Sequence, residues 1–65
     1  MSISTIGRLL HDRNMPCSQI TMTYRDGGKW EQWRFVRNET IVEIEMPAMT
    51  KDEAIVDAAV NALNA

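Results

Sequence analysis

A chain of 65 residues, 45% hydrophobic and 25% charged, has the size and composition of one folded domain, residues 1–65, and excludes a disordered segment. Its net charge of −2 lacks the basic footprint from which general nucleic-acid binders draw their non-specific affinity. The single cysteine, Cys17, excludes an intrachain disulfide and a cysteine-rich metal site, and suits a reducing cytoplasm.

Arg8, His11, Asp12 and Arg13 interrupt any apolar core a signal peptide would need, and no run reaches membrane-spanning length. A cytoplasmic protein without a membrane partner is expected. Ile3 to Arg13 predicts a short amphipathic helix with Ile6, Leu9 and Leu10 on one face and Arg8 and Asp12 on the other. Ser4 is the expected N-cap. Asn14 tolerates the left-handed conformation that ends helices, and Pro16 blocks continuation.

Gln19 to Tyr24 alternates, with Ile20, Met22 and Tyr24 on one side. Asp26-Gly27-Gly28 is a strong hairpin signal, because glycine reaches positive φ without steric cost. Lys29 to Arg37 then puts Trp33 and Phe35 on one face and Trp30, Gln32, Arg34 and Val36 on the other. Asn38-Glu39 reads as a second, weaker turn. Thr40 to Met46 alternates again, Val42, Ile44 and Met46 opposing Ile41, Glu43 and Glu45, and Pro47 stops the strand.

Centring the turns on Gly27-Gly28 and Asn38-Glu39 sets Met22 opposite Trp33, Trp33 opposite Ile44, Phe35 opposite Val42 and Arg34 opposite Glu43. Both hairpins then share one apolar face, as a meander with a single buried side requires. Thr50 to Ala65 predicts a closing helix opened by a Thr50-Lys51-Asp52-Glu53 capping box. Its apolar face is Ile55, Val56, Ala59, Val60 and Leu63, widened by small alanines. The expected fold is α+β: a two-layer α-β-β-β-α domain, a three-stranded antiparallel meander with both helices on one face.

That layout, with Arg13-Asn14-Met15-Pro16 at the first helix exit and Thr50-Lys51-Asp52-Glu53-Ala54 through Ala58-Ala59 and Ala62-Leu63 in the last helix, resembles the double-stranded-RNA-binding domain family. The resemblance implies shape recognition of A-form RNA across two minor grooves. It also marks departures. Of the basic cluster that opens the family's last helix only Lys51 remains; Asp52 and Ile55 stand where further lysines belong. Gly27-Gly28-Lys29-Trp30 replaces the family's Gly-Pro-x-His loop, and Arg8 replaces a glutamate that meets ribose hydroxyls. The resemblance therefore implies a degenerate member, without most of the RNA-gripping cations.

Two binding surfaces follow. Outer-face parity sets Trp30 with Arg34, Val36, Ile41, Glu43 and Glu45 as an expected contact surface for a protein partner, since exposed tryptophan anchors interfaces. The bland alternatives are Trp30 covering a neighbouring arginine stem and Val36–Ile41 as ordinary apolar surface. Arg8, Arg13, Lys29 and Lys51 are the residues a nucleic-acid reading would use, against which stands scattered charge paired in place, such as Arg34 with Glu43 and Asp26 with Lys29. Thr40 to Met46 is an expected edge strand, open to homodimer pairing although Glu43 and Glu45 discourage it.

His11 has no second histidine for a metal, and a Cys17–His11 pair lacks an orienting third group, so neither cofactor nor catalysis is expected. The five methionines read as core filler. A small non-enzymatic inhibitor or adaptor is the expected class, of the kind phages and other mobile elements carry.

Overall fold

The helix-stop and hairpin residues place every element. In the computed structural model, which describes residues 3–65, α1 (Ile3–Asp12) leads into β1 (Gln19–Arg25), β2 (Trp30–Arg37), β3 (Thr40–Pro47) and α2 (Asp52–Asn64). The strands form one antiparallel sheet in the order β1-β2-β3. Both helices lie on the same side of it. Ile6 and Leu10 of α1 and Ile55, Val56 and Ala59 of α2 are buried together with Trp33 and Phe35 of the central strand.

The α1 exit is set by Asn14, whose φ of 61° is a conformation asparagine tolerates better than most residues. Its amide donates to the His11 carbonyl, and the Met15 amide donates to that of Leu10. These two bonds are a Schellman closure, and Met15 completes it by packing on the core. Ser4 lies inside the first turn of a helix that already includes Ile3, so it does not occupy the capping position.

The first hairpin turns through Asp26, Gly27 and Gly28, all at positive φ, and closes with the Lys29 amide on the Asp26 carbonyl. Mirror-image turns of this kind match the twist of the strands they join. At the second, Asn38 alone takes positive φ, at 55°. A turn with only its first central residue there belongs to the type II′ class, and it spares Glu39 that conformation. The registers are those the two turns imply: Met22 faces Trp33, Trp33 faces Ile44, Phe35 faces Val42 and Arg34 faces Glu43.

The inner face is well covered only along its centre. Trp33 and Phe35 are fully buried and stacked, with ring centroids 6.0 Å apart and planes 9° from parallel. Ile20, Met22, Val42, Ile44 and Met46 flank them, half-buried. Tyr24 shares their parity but lies at the sheet's end and stays 60% exposed. Glu31 also faces inward and is buried, accepting a 3.0 Å hydrogen bond from Trp33 Nε1. That bond gives both a buried indole N–H and a buried carboxylate a partner. Of the methionines expected in the core, Met15, Met22 and Met46 pack there; Met49 is 94% exposed, and Met1 lies outside the described residues.

The expected capping box does not form. The amide and hydroxyl of Thr50 both donate to the Pro47 carbonyl, which uses the threonine to close the turn between β3 and α2. Lys51 becomes the N-cap, with extended backbone and no side-chain cap bond, and the helix starts at Asp52 rather than Thr50. A serine can accept from the first-turn amides where lysine cannot, so Lys51→Ser should stabilise the fold by about 1 kcal/mol in urea unfolding. Met49 in the same turn has φ of 68° and no core contact to justify a long side chain. Met49→Gly relieves that backbone and should add up to about 1 kcal/mol by the same measurement.

Candidate functional site

The outer sheet face is covered by no element among the described residues. Registration arranges it in four cross-strand rows: Gln19–Val36–Ile41, Thr21–Arg34–Glu43, Thr23–Gln32–Glu45 and Arg25–Trp30–Pro47. Apolar groups therefore occupy its two ends and charge its middle. Ile41 is 54% exposed beside half-buried Val36, and Trp30 is 41% exposed at the other end.

Two ion pairs cross this face. Arg34 Nε sits 4.0 Å from Glu43 Oε2 on the neighbouring strand. Arg25 reaches over the central strand from β1 to Glu45 on β3. All four side chains are about half exposed, so each pair contributes little to stability and is free to be remade with a partner. Arg25, Asp26, Trp30 and Glu45 line a shallow depression of about 390 Å³. The Trp30 indole is thus presented between charged groups of both signs, an arrangement in which a buried contact can form around an aromatic anchor with a polar rim.

The expected partner surface of Trp30, Arg34, Val36, Ile41, Glu43 and Glu45 is consequently one contiguous face. Sequence reading left Arg25 out of it. The signal was available, because turn-centred registration already sets Arg25 opposite Trp30 on the outer parity. Asp26 and Lys29 meet through their backbones in the turn, and no ion pair joins them among the described residues.

The residues of the nucleic-acid reading do not form a comparable patch. Arg13 pairs with Asp57 of α2 at 2.8 Å, which links the end of α1 to α2 and sets a carboxylate beside its charge. Arg8 is exposed on α1. Lys29 and Lys51 belong to two loops that touch, the Ala48 amide donating to the Lys29 carbonyl at 2.9 Å. Lys51 is followed directly by Asp52 and Glu53 in the first turn of α2. Those carboxylates favour the helix dipole and oppose a phosphate at the same place.

Cys17 is half-buried, and its thiol donates a weak 3.7 Å contact to the Met15 carbonyl, whereas His11 is exposed on α1. Burial pushes the thiol above its ordinary range, with the Arg37 guanidinium pulling the other way. A protonated thiol is a poor nucleophile and metal ligand at neutral pH. Among the described residues no group of three or more His, Cys, Asp or Glu side chains is arranged to hold a metal ion, and no helix is long and apolar enough to cross a membrane. Comparison with known protein families, with curated proteins and with solved structures finds no match for this chain.

Proposed function

We propose that this chain is a small non-enzymatic binding protein, an inhibitor or adaptor, that engages a protein partner through the outer face of its sheet. The observation that carries the reading is the uncovered face itself. Trp30 and Ile41 stand exposed at its ends, with two solvent-accessible ion pairs between them. Aromatic and arginine side chains are enriched at interface centres, and lysine is depleted there. The outer face carries Trp30, Arg25 and Arg34 and no lysine.

The α-β-β-β-α order with both helices on one side is the layout that supports a likeness to double-stranded-RNA-binding domains. The charge arrangement supports a protein partner over RNA. Among the described residues three of the seven Lys and Arg side chains stand beside carboxylates, whose negative charge opposes a phosphate at the same place. Duplex binding draws its non-specific affinity from several cations neutralising phosphates at once and releasing their counterions.

The test is a pair of titrations with labelled RNA and DNA duplexes at low and high salt, beside capture of proteins from extract of the producing cells by wild type and by Trp30→Ala. The reading predicts weak duplex binding, unaltered by Lys51→Ala, and a captured protein lost with Trp30→Ala. Tight duplex binding that collapses with salt and depends on Lys29 and Lys51 would refute it.

A further inference from the structure

The sheet has two free edges, β1 and β3, and they differ in chemistry. Any long antiparallel self-pairing of β3 sets carboxylate against carboxylate. Centred on Ile44 it opposes Glu43 to the partner copy's Glu45, and centred on Glu43 it opposes Glu43 to itself. Like charges directly opposite destabilise a strand pair. Apart from Arg25 at its end, β1 carries none of the devices that protect an edge. From Gln19 to Tyr24 it has no charge, no proline and no glycine, and it is rich in Ile, Thr and Tyr.

We propose that β1 pairs antiparallel with β1 of a second copy about a two-fold axis at Met22, joining two sheets into one of six strands. Only registers that keep side-chain parity are allowed, and the one centred on Met22 matches the whole strand. It sets Thr21 against Thr23, Ile20 against Tyr24, Met22 against Met22 and Gln19 against Arg25. Thr–Thr and aromatic–aliphatic neighbours are favourable cross-strand pairs. The pairing would also cover an aromatic ring that the helices leave open at the sheet's end. Tyr24 is 60% exposed on the face where Ile20 and Met22 are only half-buried, and the partner copy's Ile20 would lie against its ring.

A two-fold axis normal to the sheet leaves all four helices on one side and both outer faces continuous on the other. One outer face, three strands wide and eight residues long, measures about 27 by 14 Å, and the joined face is about twice as wide. That brings a contact surface for a third protein towards the roughly 800 Å² per partner of ordinary interfaces. The pairing itself does not rest on the partner reading above, because it uses neither Trp30 nor β3.

Sedimentation equilibrium of the wild-type chain tests it first, and the expected mass is twice the 7.4 kDa of one copy. Thr21→Lys/Thr23→Lys and Thr21→Glu/Thr23→Glu change exposed outer-face residues and bring like charges together across the axis. Each should sediment at one chain mass, and mixing the two should restore the doubled mass, since the register sets each lysine opposite a glutamate. Wild-type hydrogen exchange needs no variant: amides in Gln19–Arg25 should lose protection on dilution. A single-copy mass for wild type overturns the proposal. So do doubled masses in both charged variants, dilution-sensitive protection at Thr40–Pro47 instead, or the open series of masses that head-to-tail β1-to-β3 contacts would give.

Discussion

Trp33→Ala costs about 3–5 kcal/mol, the range for removing a large aromatic from a packed core. Three losses combine at that position. The side chain is fully buried, it stacks on Phe35, and its Nε1 is the hydrogen-bond donor to buried Glu31. Truncation opens a cavity at the junction of both helices and the sheet, and it strands a carboxylate away from water. A domain of this size has roughly 3–10 kcal/mol of total stability at the usual per-residue value. The variant should therefore lose about a third or more of that stability and unfold at a much lower urea concentration by far-ultraviolet circular dichroism. Trp30→Ala, three residues earlier on the opposite face, should lose less than about 1 kcal/mol, as surface substitutions do. Equal losses for the two would mean that the sheet presents its other side to the helices.

The same Trp30→Ala substitution has its large effect on binding. Interface anchors of this type contribute about 2 kcal/mol or more when truncated, which is roughly a thirtyfold loss of affinity. Trp30 stands at one end of the outer face with Arg25, Asp26 and Glu45 around it, so the indole can be desolvated while polar groups keep partners at its rim. Calorimetric titration of the captured partner should show that loss for Trp30→Ala and a change within twofold for Lys51→Ala. A Trp30→Ala chain that folds and binds normally would remove the outer face from the account. The two substitutions make a matched pair on a single strand: one acts on folding, the other spares folding and weakens contact.

Strand pairing was legible because period-two alternation and the Asp26-Gly27-Gly28 turn act locally and agree. Once the turns were centred, Met22, Trp33 and Ile44 had one possible alignment, and the structure has it. The Asn14 exit was legible for the same reason, a residue type suited to one backbone conformation. What escaped depends on geometry beyond the pattern. Thr50 satisfies the capping-box motif but spends its hydroxyl on Pro47, a choice set by the turn before the helix. Tyr24 has core parity yet is exposed, because helix cover runs out before the sheet does. Glu31 has core parity but a charge that the alternation pattern alone assigns to solvent; its burial needs the Trp33 N–H beside it. The outer face was identified by parity alone. Arg25 joining Glu45 over the central strand required three strands in space.

Photo-crosslinking inside the producing cells tests the central claim most directly: that the open face of the sheet is where a protein docks. A photoreactive amino acid replacing Ile41, 54% exposed on that face, should form a discrete adduct with a polypeptide, and the same group replacing exposed Arg8 on α1 should not. Adducts from position 8 alone, or nuclease-sensitive adducts from either position, would contradict it.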